Sequence, residues 1–427
     1  VYSFEPLRQL FPFAGQAPRS TGVFNVRLYF SVIALAVFVP RPVSLGLGLA
    51  PLAWVALCAL LLRWGVTPAG GGRLEAFPFE MLLMGAYFGA AVIILYTGRR
   101  YYARAIAAAA GARWNEPAWY VPWALRGLVI SAAVLVILLN WIGLHWAYGV
   151  ATVVVLLLVY LVVTRIVVES GVLFPQPSWT PMAAIGAFAG MEGMGLENFL
   201  VLGVFCTVLT YNMRDMIMPH LAHGLYLVGR DRPRSVPRVA ALQAVVLTAA
   251  LGLVLVAVLS TQYVFGTNDA DGFATRHVPQ APFNLASREI SELAAVRDLT
   301  GLAESRGDLA AFEIPAGLWR WWAVGLGLFV ACGALRLHFS WWPVHPVIFL
   351  MWGTYPAAML GWSFFLGWLI KAAVVRVSGA RGYLVIKPLL IGVIVGELLA
   401  ALVGIVAGIA YYLITGMIPV RYLIFPG

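Results

Sequence analysis

The sequence predicts an all-α fold: a polytopic transmembrane helical bundle of about 9–11 spans, two of them interrupted or re-entrant, plus a small extracytoplasmic insertion. Three observations carry this reading. Of 427 residues, 62% are hydrophobic and only 11% are charged, against about a quarter charged in an average soluble domain. Several apolar runs reach the ~20 residues a spanning helix needs. Those runs are continuous rather than alternating, which favours helices over a closed barrel, the other structure that satisfies every backbone polar group in lipid.

Continuous apolarity places spans near 29–40 (short), 43–62, 78–97, 124–143, 147–164, 181–213 (interrupted), 237–264, 319–335, 346–371 (interrupted) and 387–416. The chain therefore divides into a first transmembrane region, 1–264, an extracytoplasmic insertion, 265–318, and a C-terminal transmembrane region, 319–427. The insertion is the longest polar stretch and the most acidic, and a short helix is expected near 286–298. The Asn268–Gly272 run within it resembles a calcium loop, but the twelfth position is Val278 rather than the required Glu.

Loop charge sets orientation. Arg99, Arg100, Arg104, Arg113 and Arg126 face a single acid, Glu116, and a second basic cluster holds Arg214, Arg230, Arg232, Arg234 and Arg238. Both are expected on the cytoplasmic side. The net charge of +10 is explained by such loops. No basic run is interleaved with base-stacking aromatics, so no nucleic-acid partner is expected.

Arg165 and Arg214 both fall on the cytoplasmic side, so the chain between them must cross an even number of times or dip and return. The stretch 170–213 is short for two spans and a loop, and it holds Pro175, Pro177, Pro181, Gly186, Gly190, Gly193 and Gly195. The same conflict recurs at 341–371, where Gly353 and Pro356 interrupt the apolar run and Lys371 follows on what one span would make the wrong side. Both segments are expected to be hairpins of half-helices, or helices broken inside the membrane. Irregular backbone at that depth is tolerated only where it is buried in protein or lines a cavity, and paired interrupted segments point to a transport site.

Ionisable groups within spans are costly and therefore informative. Glu397 follows Gly396 inside an apolar run; it reads either as a proton-coupling or substrate-binding carboxylate or as a buried anchor. Glu169, Glu192 and Glu197 lie in or beside the first interrupted segment, and Arg165 stands one turn before Glu169, where the two can pair. His345 sits between prolines at the mouth of the second interrupted segment, next to Trp341 and Trp342, which suit interfacial anchors or vestibule walls. His220 and His223 have metal-ligand spacing, but two ligands are too few for a site. Gly392, Gly396, Ala400, Gly404 and Gly408 recur every four residues, a smooth stripe for helix packing.

Cys58, Cys206 and Cys332 each stand alone in apolar sequence and read as buried thiols. There is no phosphate loop, no Walker lysine, no HExxH and no nucleophile elbow. No enzyme activity, metal or cofactor is expected.

Trp341-Trp342-Pro343-x-His345-Pro346, Trp362–Lys371, Lys387-Pro388 and Gly392-x-x-x-Gly396-Glu397 together resemble the C-terminal region of a large uncharacterised family of bacterial multi-pass membrane proteins. Arg165-x-x-x-Glu169-x-Gly171, Asn212-x-Arg214-Asp215 and Met218-Pro219-His220 fit the same pattern. That family is distantly similar to the oligopeptide-transporter superfamily, whose members move small peptides or metal chelates, usually with protons. The resemblance implies a secondary transporter in the bacterial cytoplasmic (inner) membrane. The cost of polar groups within spans makes Glu169, Glu192, Glu197, His345 and Glu397 pathway candidates, and Arg165, Arg214, Asp215, His220, Trp341, Trp342 and Lys371 are structural or gating candidates. Such proteins usually carry further spans before the point where this sequence begins, so a second chain or a larger membrane complex is an expected partner, besides the lipid bilayer. The alternative is a non-catalytic accessory or scaffold subunit.

Overall fold

The computed structural model describes residues 2–3, 5–17, 19–66, 78–112, 119–170, 176–210, 216–265, 278–296, 317–339, 341–342 and 344–417. Almost all of these are helical. In chain order the helices are α1 Glu5–Leu10, α2 Pro12–Gln16, α3 Thr21–Phe24, α4 Phe30–Phe38, α5 Arg41–Arg63, α6 Pro78–Ala109, α7 Tyr120–Trp141, α8 Trp146–Ser170, α9 Pro181–Met194, α10 Leu196–Thr210, α11 Ile217–Asp231, α12 Val236–Phe265, α13 Val278–Val296, α14 Leu318–His338, α15 Ile348–Met351 and α16 Tyr355–Thr415. One short antiparallel pairing, Tyr2–Ser3 with Asn25–Val26, is the extended structure among the described residues.

Seven helices among the described residues, α5, α6, α7, α8, α12, α14 and α16, are long and apolar enough to cross a membrane. The expectation of about 9–11 spans is met only in this coarser form. The apolar run at 29–40 yields a helix of 9 residues, because Pro40 and Pro42 start a new helix immediately after it. The run at 181–213 yields two helices of 14 and 15 residues, each about 22 Å long and short of the ~30 Å hydrocarbon core. Conversely, the 61-residue α16 holds two arms, since Gly379 breaks it with φ 61° and ψ −152°.

The chain forms two compact units, one of Val1–Ala69 with Ala331–Gly427 and one of Gly70–Val330. In the first, residues 22–39 run alongside the first arm of α16. The Trp362 indole N–H donates to the Val23 carbonyl at 3.3 Å, and the Tyr29 N–H donates to Ser363 Oγ at 3.0 Å. Gly367 lets α4 close in, as a Cβ there would stand 2.5 Å from Ala36. On another side α5 packs through Gly48, where a Cβ would stand 2.8 Å from the Phe365 backbone, and the buried Ser44 hydroxyl donates to the Phe364 carbonyl at 3.1 Å. Small residues at these crossings let backbones approach, the main source of packing energy where lipid removes the hydrophobic drive.

In the second unit, α6 and α14 cross with Gly85 and Gly325 facing the opposing backbone, so that a Cβ on either would overlap a main-chain carbonyl, of Trp322 and of Leu82. The first interrupted segment is a helical hairpin. Gly195, with φ 77°, separates α9 from α10, and the two helices run antiparallel, bringing Met182 against Gly203. The hairpin packs beside α8: the Tyr148 hydroxyl donates to the Gly193 carbonyl at 3.2 Å near the tip, and the Tyr160 hydroxyl to the Leu209 carbonyl at 3.4 Å further down. The helix expected near 286–298 begins earlier, at Val278. It lies on the hairpin, with Leu285 and Ala286 in the apolar cluster that holds Met182, Met194, Phe199 and Leu202. Most of the acidic run of the insertion, including Asp269, Asp271, Asp298, Glu304, Asp308 and Glu313, lies outside the described residues.

Candidate functional site

A pair of opposite charges is arranged around α4 in the first unit. The backbone is extended at Tyr29, so the first N–H groups of α4 have no helical partners. The Glu397 carboxylate accepts the N–H of Ser31 there. At the other end, Lys371 Nζ donates to the Val39 carbonyl at 2.8 Å. An anion thus stands at the positive end of the helix dipole and a cation at the negative end. A helix of 9 residues is marginal by itself, and this clamp holds it at both termini.

The bend at Gly379 makes the clamp reachable. Lys371 and Glu397 are 26 residues apart, about 39 Å along a straight helix, while the ends of α4 are only about 13 Å apart. Reversal at Gly379 brings the second arm back along the first. α4 then fills the space between the arms: Ala34 and Val37 pack with Leu390, flanked by Ile370 from one arm and Tyr383, Ile386, Val393 and Ile394 from the other. Lys371 Nζ also sits 5.5 Å from the Tyr383 ring centre, a cation–π contact across the bend.

The second interrupted segment lies on the same first arm. His345 and Val347 pack against Gly46 of α5, and α15 descends for a single turn of 4 residues. The chain then reverses at Gly353, φ 64°, and α16 climbs back beside α5. The Arg19 guanidinium donates to the Gly353 carbonyl, and the fully buried Thr354 caps the new helix through the Ala357 N–H at 3.4 Å. His345 Nδ1 accepts the Val347 N–H at 3.1 Å, so this ring nitrogen is spent on the turn. Trp341 is exposed and Trp342 half-buried; their rings touch at 5.8 Å between centres.

The carboxylates of the first interrupted region do not come together as one group. Glu169 is exposed at the far end of α8, paired with Arg165 one turn earlier. Glu197 is exposed beside Gly143, in the turn before α8. Roughly 35 Å of helix separates those ends. Next to Glu197, the buried Asn198 accepts the His145 N–H at 2.7 Å and donates to the Met194 carbonyl at 2.9 Å, tying the hairpin tip to the α7–α8 turn. Glu192 falls in α9, but its side chain lies outside the described residues, as do Arg214 and Asp215. His220 is exposed on α11. Among the described residues no group of three or more His, Cys, Asp or Glu could hold a metal. Gly392, Gly396 and Gly404 are exposed, and a Cβ on Gly392 or Gly396 would meet nothing within 4 Å.

Sequence reasoning passed over one polar group. Glu80 is 6% exposed in the first turn of α6, and Tyr87, two turns on along the same face, is fully buried. Tyr87 stands edge-on to Trp179 at 5.6 Å between ring centres. Trp179 belongs to a non-helical run before α9 in which Gln176, Ser178 and Thr180 are also buried. A carboxylate near the start of an apolar run was the available signal, but an end position reads as interfacial until neighbouring helices bury it.

Seven helices long and apolar enough to cross a membrane are consistent with a multi-pass α-helical membrane protein. The chain belongs to the family described as "Family of unknown function (DUF6785)", whose model matches residues 8–418. No curated protein and no solved structure matches it.

Proposed function

We propose that this chain is the membrane-embedded part of a secondary transporter, with Glu397 as the carboxylate that couples proton movement to the position of α4. The observation that carries the reading is the short, apolar α4, preceded by extended backbone and held between Glu397 and Lys371 on the two arms of α16. Discontinuous helices whose ends meet charged groups are the recurrent way secondary transporters build midplane sites. Protonating Glu397 removes the anion from the helix N-terminus and weakens one end of the clamp, so a proton and the placement of α4 become linked. The reversals at Gly195 and at Gly353 are each read as a re-entrant segment. The resemblance noted from the sequence supplies the finer reading: proton-coupled uptake of small peptides or metal chelates across a bacterial cytoplasmic membrane.

The test is reconstitution in liposomes loaded with a pH-sensitive dye. Addition of di- and tripeptides, or of an iron chelate, is expected to drive proton entry. Glu397→Gln should reduce that flux at least tenfold while leaving peptide binding measurable. Absence of solute-driven flux in the unmodified chain, or full flux in Glu397→Gln, would overturn the reading.

A second reading, an accessory subunit of a larger complex, is favoured by the open glycine stripe on the second arm of α16. Native mass spectrometry separates the two: stoichiometric association with unrelated subunits supports the accessory role, and a free monomer or homo-oligomer supports the transporter.

A further inference from the structure

We propose that the bend of α16 binds the phosphate headgroup of an anionic phospholipid, held among Arg41, Lys371, Arg376, Arg381 and Lys387. All five belong to the first unit. Lys371 stands at one end of α4, with its Nζ 2.8 Å from the Val39 carbonyl, and Arg41 follows just after Val39 at the start of α5. The two cations lie near enough for the charge of Arg41 to act on Lys371. Past that contact the arms of α16 run on for about 12 Å to Gly379, where φ is 61°. Arg376 and Arg381 flank this turn. Lys387 returns to the level of Lys371: Tyr383, one helical turn before it, has its ring centre 5.5 Å from Lys371 Nζ.

The sequence leaves this charge unbalanced. No Asp or Glu occurs in residues 6–74 or 314–396, so α4, α5 and the first arm of α16 carry no carboxylate. The Glu397 carboxylate is taken up at the opposite end of α4, about 13 Å away. Among the described residues none of the five is ion-paired. Like charges side by side repel, and Lys371 is half-buried, where screening is weaker than at an open surface. An anion placed between Lys371 and Arg41 turns that repulsion into attraction.

The surroundings of the cations select a lipid over a soluble anion. Val377 is 84% exposed, Leu384 65% and Val385 79%, interleaved with Arg376, Arg381 and Lys387. Such apolar side chains suit acyl chains, while Lys and Arg near helix ends reach from an apolar stem to the headgroup layer. Arg also offers phosphate a planar, bidentate fork, and basic pockets between transmembrane helices are known sites for anionic headgroups. A soluble phosphate would leave the exposed Val377, Leu384 and Val385 uncovered.

The inference requires the chain to lie in a membrane but not to transport. The full chain in neutral detergent is titrated with phosphatidylglycerol or with phosphatidylcholine of the same acyl chains, and bound lipid is counted by native mass spectrometry. Phosphatidylglycerol should bind about tenfold tighter, with an advantage that shrinks as salt rises. Arg376→Gln, Arg381→Gln and Lys387→Gln combined should weaken phosphatidylglycerol about tenfold, with an unchanged thermal midpoint in the absence of lipid. Arg41→Gln, a separate change in α5, should weaken it about threefold. Arg230→Gln, Arg232→Gln and Arg234→Gln combined remove the same charge from the second unit and should leave the Kd within about twofold. Equal affinity for the two lipids would overturn the proposal. So would an equal loss in both triple variants, which would reduce the effect to net charge. Displacement of phosphatidylglycerol by inorganic phosphate at equal concentration would mean a soluble-anion site and would overturn it as well.

Discussion

Replacing Glu397 by Ala tests the clamp on α4 most directly. The substitution removes the acceptor of the Ser31 N–H and the anion at the helix N-terminus together. A charge-assisted hydrogen bond contributes about 1.5–3 kcal/mol, and a charge beside a helix terminus about 0.3–1 kcal/mol when exposed. Glu397 is half-buried rather than buried, so solvent screens part of both, and about 1.5 kcal/mol is a fair expectation. Because α4 spans only 9 residues, the loss should appear as local opening. At about 1.4 kcal/mol per factor of ten, hydrogen exchange in residues 31–38 should accelerate roughly tenfold. Exchange mass spectrometry of peptides from α4, with peptides from α8 as internal control, reads this out. Glu397→Gln keeps a neutral acceptor and should lie between the two. Unchanged exchange in α4, or an equal acceleration in α8, would refute the argument that Glu397 holds this helix.

Further outcomes follow from the same packing. Gly361→Ala places a Cβ 2.5 Å from Pro51 Cγ and should destabilise the protein by about 1–3 kcal/mol, seen as a lower thermal midpoint. Gly392→Ala adds a methyl group in open space and should leave the isolated chain's midpoint unchanged; weaker association in native mass spectrometry would then mark the stripe as a partner surface. Asn198→Ala leaves the His145 N–H unmatched and should cost about 1–3 kcal/mol, with faster exchange confined to the α7–α8 turn. Cysteines at Glu169 and Glu197, introduced into a chain whose native cysteines are buried, should be labelled from opposite faces of the membrane, since about 35 Å of helix lies between them; labelling from one face would refute the orientation of α8.

Much of the framework was legible in the residues. Helix length follows from the length of an apolar run, because backbone groups in lipid have no other partners; hence α5, α7, α8, α12 and α14 fall close to their expected limits. The interruptions were legible too, since Gly195 and Gly353 adopt positive φ, which costs glycine little. The role of Glu397 was visible only as two alternatives, because a carboxylate in an apolar run must have a partner but the run does not name it. That partner is the backbone of Ser31, 366 positions away in the chain. A break between the spans at 346–371 and 387–416 was expected, though not that Gly379 makes it, and α4, a run too short to span, showed no reason for its length until the two arms of α16 closed around it. The burial of Glu80, Tyr87 and Trp179 has no local mark in the sequence; burial is a property of what neighbouring helices cover. Local chemistry sets where helices start, stop and break, whereas long-range packing decides which polar atoms lose water and therefore which must find a partner.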